Sequence, residues 1–89
     1  MSETRWETQL KKEGFSQVAL HEDPPSFSYS DHSHPIDTAY VVLHGEMQVW
    51  LDGKEHVIKE GGRLDIKKHV VHSAKIGQEG CKFLIAIRV

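Results

Sequence analysis

With 89 residues the chain has room for one domain and a modest core. Its 11 Lys and Arg against 13 Asp and Glu leave a net charge of −2, and the basic residues form no stripe; this excludes nucleic acid and acidic lipid as evident partners. No apolar run approaches the roughly 18 residues of a membrane span and no signal-peptide core opens the chain, so a cytoplasmic protein with no membrane association is expected.

The segment from Thr4 to Glu13 carries the one helical pattern. Thr4 and Glu7 have capping-box spacing, Trp6 and Leu10 make an i, i+4 apolar stripe, and Gly14 is a natural stop. Residues 1–14 therefore read as a helix packed on the domain that follows, and residues 15–89 as that domain.

From Phe15 onward the period drops to two. Val18 and Leu20 alternate with Ala19 and His21, and Asp23-Pro24-Pro25-Ser26 turns the chain. Phe27 and Tyr29 alternate next. Tyr40 to Leu43 reads as a buried strand, broken at His44-Gly45-Glu46. Met47, Val49 and Leu51 alternate up to Asp52-Gly53, the strongest hairpin signal in the chain. Val57 and Ile58 precede a turn at Glu60-Gly61-Gly62. Leu64 and Ile66 alternate, Val70 to Ile76 forms a further run, and Gly77-Gln78-Glu79-Gly80 reads as a turn. Cys81 opens the last strand as a small core residue; with no second cysteine it closes no internal disulfide. Phe83, Ile85, Ile87 and Val89 end the chain on one face. Eight or so short strands with one helix in front define an all-β sandwich or barrel.

The chemistry concentrates in histidine. In a strand, residues i and i+2 share a face, so His32 and His34 can reach one point. His72 shares its face with Ala74 and Ile76, which read as core. Parity thus turns three imidazoles inward, and three such ligands leave positions open for water or substrate. Inward histidines also serve as hydrogen-bonded core residues, so the pattern alone leaves both readings open.

The stretch from His32 to Gly45 resembles motif 1 of the cupin family, HxH(x)3–4E(x)6G. It runs His32-Ser33-His34-Pro35-Ile36-Asp37-Thr38 and reaches Gly45 after six more residues. The stretch from Gly62 to His72 resembles motif 2, with Lys67 in place of its proline and His69 in place of its second glycine. The resemblance implies a small antiparallel jelly-roll barrel with one divalent metal held by His32, His34 and His72. The family's fourth ligand, a glutamate, falls on Thr38, which has no carboxylate. The implied site is a neutral three-histidine one, which favours zinc, nickel, iron or copper over manganese or magnesium.

Other residues stand around this expected site. Parity points Asp37 away from it, to solvent or to a supporting contact; a bulge would make it a ligand. Tyr40, on the face of Thr38, either offers its hydroxyl to the pocket or is a core residue. His69 belongs to a turn close to His72, His44 reads as a turn residue, and His21 and His56 read as exposed strand positions. The expected function is binding of a small oxygen-containing molecule at a transition metal, with the reaction, if any, open. The alternative is a metal-free binding or sensing module that uses the barrel cavity. Trp50 points outward, and with Trp6 and Leu10 it suggests a homodimer.

Overall fold

The computed structural model describes residues 2–89. Helix α1 spans Glu3–Lys12, and its cap is Ser2 rather than Thr4: the Ser2 Oγ accepts from the Arg5 amide at 3.3 Å. This start puts Glu3 in the first turn and Lys11 and Lys12 in the last, signs that complement the helix dipole. Gly14 follows with φ +98°, as a left-handed stop requires. The Trp6–Leu10 stripe faces the sheet. Leu10 is fully buried among Phe15, Ala39, Val41, Leu84 and Ala86, and Trp6 packs against them.

Six strands follow: β1 (Gln17–Asp23), β2 (Ser28–His32), β3 (Thr38–Leu51), β4 (Lys54–Lys59), β5 (Arg63–Ile66) and β6 (His72–Ile87). Every pairing is antiparallel. The eight expected runs are present, but two pairs of them are fused. The expected break at His44–Glu46 lies inside β3, and the expected turn at Gly77–Gly80 lies inside β6. Both are irregularities where the two long strands pair with each other. Register shifts fall between Val42 and His44 and between Gly45 and Met47. A bulge and a turn draw on the same residues, and only the partner strand distinguishes them.

This bulged corner divides the sheet into two halves. In one, β5, the start of β3, the end of β6 and β1 lie side by side. In the other, β4, the end of β3, the start of β6 and β2 do. Gly45 sits at the corner with φ +82°, where a Cβ would lie 2.1 Å from the Gly80 carbonyl oxygen. The hairpin at Asp52-Gly53 forms as expected, both residues at positive φ in the manner of a type I′ turn.

Two apolar clusters result. Val42, Met47, Val49, Ile58, Ile66, Ile76, Cys81 and Phe83 fill the inside. The second cluster lies under α1. A polar clamp closes the helix end. Arg63 forks onto the Glu13 carboxylate at 2.6 and 2.9 Å and onto Asp65, while Arg88 donates to the Glu13 carbonyl and lies 4.3 Å over the Phe15 ring. Among the described residues no helix is long and apolar enough to cross a membrane.

Candidate metal centre

His32 is the last residue of β2 and stands directly across from His72, the first residue of β6. His34 lies beyond the strand, in the irregular segment between β2 and β3. It reaches the site because its carbonyl accepts from the His69 amide at 2.7 Å, and the turn carrying His69 leads straight into His72. His69 has φ +67° and its side chain is exposed, so it supports His34 through its backbone.

The three rings converge. Centroids are 4.2 Å apart for His32–His72, 5.1 Å for His32–His34 and 5.4 Å for His34–His72. One nitrogen from each lies within 4.8 Å of the others. Tetrahedral ligands about 2.05 Å from a zinc ion stand roughly 3.4 Å apart, so the widest pair would need to close by up to about 1.4 Å.

Hydrogen bonding sets the tautomers. His32 Nδ1 lies 2.7 Å from the Ser30 carbonyl, and His72 Nδ1 lies 3.0 Å from the Val70 carbonyl. A carbonyl only accepts, so each Nδ1 carries a hydrogen and each Nε2 keeps its lone pair. The Nε2 atoms of His34 and His72 are buried with no hydrogen-bond partner among the described residues. An orphaned buried polar atom costs about 1–3 kcal/mol. An ion that takes both lone pairs removes that cost, so the residues present fit a metal. Burial, and then the neighbouring histidines, push the His34 and His72 pKa values below the ordinary imidazole range. Both rings are therefore neutral, the form that ligates.

The rings line a cavity of about 440 Å³. Its walls include Met47, Val49, Ile76, Phe83 and Ile85, with Tyr40 facing inward between them. Burial raises the Tyr40 pKa, so its phenol stays protonated. Thr38 is buried, its hydroxyl donates to the Ile36 carbonyl at 3.4 Å, and it is not part of the cavity wall. The Asp37 carboxylate accepts from the Lys68 amide at 3.0 Å and from Arg88 at 3.3 Å, and it too lies outside the wall.

Three residues the sequence reading did not select also matter. Tyr29 and His21 line the cavity, and Tyr29 donates its hydroxyl hydrogen to Asp23. Burial and this bond raise the Tyr29 pKa. The alternation of Phe27 and Tyr29 was a signal for Tyr29. Nothing local marked Asp23, which reads as a turn residue but ends β1 buried. Cys81 is a buried core residue, and burial chiefly pushes its thiol up to about 11.

Fold and site together define a small antiparallel barrel with three histidines that could hold a metal. The chain belongs to the cupin family: the cupin-domain model matches residues 19–87. No curated protein matches it. Among solved structures it is similar to a cupin superfamily protein from Desulfitobacterium hafniense, with a TM-score of 0.75 and 23% identity over 82% of this chain. The chain spans 66% of that protein's length. It is also similar to a cupin-2 domain containing protein from Shewanella frigidimarina, with TM-score 0.69 and 24% identity over 79% of this chain and 67% of that one. A protein from Neisseria meningitidis aligns with TM-score 0.71 and 25% identity, over 82% of this chain and 74% of that one.

Proposed function

We propose that this cupin holds one divalent transition metal on His32, His34 and His72 and presents it to a small oxygen-bearing molecule in the cavity. The observation that carries the reading is the pair of buried, unpartnered Nε2 atoms aimed into a three-imidazole cluster. The donor set is three neutral nitrogens with no carboxylate beside them, which favours zinc, nickel, iron or copper.

The chain's own residues do the rest. The Ser30 and Val70 carbonyls hold two rings in the ligating tautomer. The apolar wall excludes water from a ligand's body, and Tyr40 offers a hydroxyl to it. A divalent ion bound there supplies Lewis-acid polarisation of a coordinated oxygen.

The test is metal content. Protein purified without nickel resin, stripped, and offered zinc, nickel, iron or copper takes up about one ion per chain. His34→Ala removes most of it. Failure to take up any of the four overturns the metal reading and leaves a binding module that uses the cavity without an ion.

A further inference from the structure

The cavity has a second polar station besides the three imidazoles. Asp23 ends β1 and is 8% exposed. Its Oδ2 lies 2.5 Å from the Tyr29 hydroxyl and its Oδ1 lies 3.4 Å from His21 Nε2. Tyr29 and His21 line the cavity, while Asp23 stands behind them. An ionised carboxylate only accepts, so the Tyr29 hydrogen is committed to Asp23. The Tyr29 oxygen is left with lone pairs for the cavity, and the residue acts there as an acceptor.

The rest of the wall constrains charge. Among the described residues no Lys, Arg, Asp or Glu lines the cavity. A ligand that binds the metal through one anionic group is compensated by the ion. A second ionised group would be desolvated against Met47, Val49, Phe83 and Ile85 with no Lys or Arg to compensate it, and His21, the cavity histidine outside the cluster, already lies against Asp23.

We propose that the cavity takes a small, mostly apolar molecule bearing one metal-directed oxygen group and one hydroxyl, and that Tyr29, positioned by Asp23, accepts that hydroxyl's hydrogen. The proposal rests on the metal reading for the first group only. It makes Tyr29 a specificity residue and Asp23 a positioning residue.

The experiment is calorimetric titration of the zinc-loaded protein with benzoate, 3- and 4-hydroxybenzoate, 4-methoxybenzoate and terephthalate. The better hydroxybenzoate is expected to bind about 3–10-fold tighter than benzoate or the methoxy compound, the range of one net hydrogen bond. Terephthalate is expected to bind at least about 10-fold more weakly than benzoate, because its second carboxylate has no partner. Tyr29→Phe abolishes the hydroxyl preference, read as the ratio of hydroxybenzoate to benzoate affinity, and leaves zinc content unchanged. In Asp23→Asn the amide can donate to Tyr29 and free the phenol hydrogen for the cavity, so 4-methoxybenzoate gains on the hydroxybenzoates. A purely structural role for Asp23 would move every compound together. Equal affinities across the series, no binding of any member, tight terephthalate, or a preference that survives Tyr29→Phe overturns the proposal. Should zinc fail to bind, the metal reading falls by itself. A hydroxyl preference in the zinc-free protein that is lost in Tyr29→Phe then sustains this inference, and its absence overturns it.

Discussion

Removing the His34 ring separates metal binding from folding better than removing either neighbour. His72 is 2% exposed, and its loss would open a cavity in the core. His34 is half-buried, and its backbone is held independently by the His69 amide. His34→Ala also deletes a buried nitrogen that has no partner among the described residues, so the metal-free variant should lie within about 1 kcal/mol of wild type. Zinc at 100 times its Kd stabilises a native-state binder by about 2.7 kcal/mol. At about 4–8 °C per kcal/mol for a domain of this size, wild type should gain about 11–22 °C in Tm. Calorimetry with and without zinc should show that gain in wild type and almost none in His34→Ala. The pH dependence has a definite sign. The folded pKa values of His34 and His72 lie below 6.5, so the unfolded chain binds more protons between those values and 6.5. Their contribution to stability is complete above 6.5 and is lost as pH falls through the lowered folded values. The zinc gain should shrink over the same window, because protonated imidazole does not ligate. A variant that keeps the full zinc gain, or a gain that grows on acidification, would refute the assignment of His34.

Other expectations follow from single contacts. Gly45→Ala combines a left-handed φ with a 2.1 Å approach to the Gly80 carbonyl and should cost about 2–5 kcal/mol. Gly53→Ala, at φ +73° with nothing within 4 Å, should cost only about 1 kcal/mol; equal losses in denaturant melts would mean the corner is not tightly packed. Glu13 is lowered from 4.5 to about 2, chiefly by its bond to Arg63, so Glu13→Gln should lower Tm at neutral pH. That difference should vanish as pH falls from 4.5 to about 2, which thermal melts across the range will check. Thr38→Glu, two positions before Tyr40 on the inward-facing parity of β3, should raise manganese affinity by supplying a hard oxygen; unchanged manganese binding would show that position 38 cannot reach the ion. We propose that the chain pairs as a homodimer through exposed apolar residues such as Leu20 and Trp50, and light scattering that returns the single-chain 10.1 kDa would contradict this.

Periodicity was a faithful guide to which residues pair and a poor one to where strands end. Alternation identified Met47, Val49, Ile76 and Phe83 as interior, and all four are buried. Gly45 and the Gly77–Gly80 segment looked like turns because positive φ and small residues serve a turn and a bulge equally well. The difference lies in the mutual pairing of β3 and β6, whose partners stand from 21 residues apart (Leu51 and His72) to 49 (Thr38 and Ile87), and no local window contains it. The same limit applies to Tyr29 and Asp23, whose hydrogen bond forms across the Pro24-Pro25 turn only once β1 and β2 have both docked on β6.

Strand parity accounts for only part of the cluster that His32, His34 and His72 form. Pleat alternation accounts for His32 and for His72, which face each other across β2 and β6. It does not account for His34, since β2 ends at His32 and a register irregularity lies between Tyr29 and His32. His34 arrives by two ties between the segment before β3 and the turn before β6. The His69 amide donates to the His34 carbonyl, and the Lys68 amide donates to the Asp37 carboxylate. Asp37 and His69, which the sequence offered as possible neighbours of a metal, thus act one step removed: they hold the loop that aims His34. A site aimed by two loop ties is softer than one fixed on two strands. Its nitrogens stand up to 4.8 Å apart, wider than a tetrahedral ion would set them. Closing that gap requires the His34 loop to move more than β2 or β6, because the strand ladder resists displacement, whereas the loop is held at His34 by the His69 amide and otherwise at Asp37, by Lys68 and Arg88.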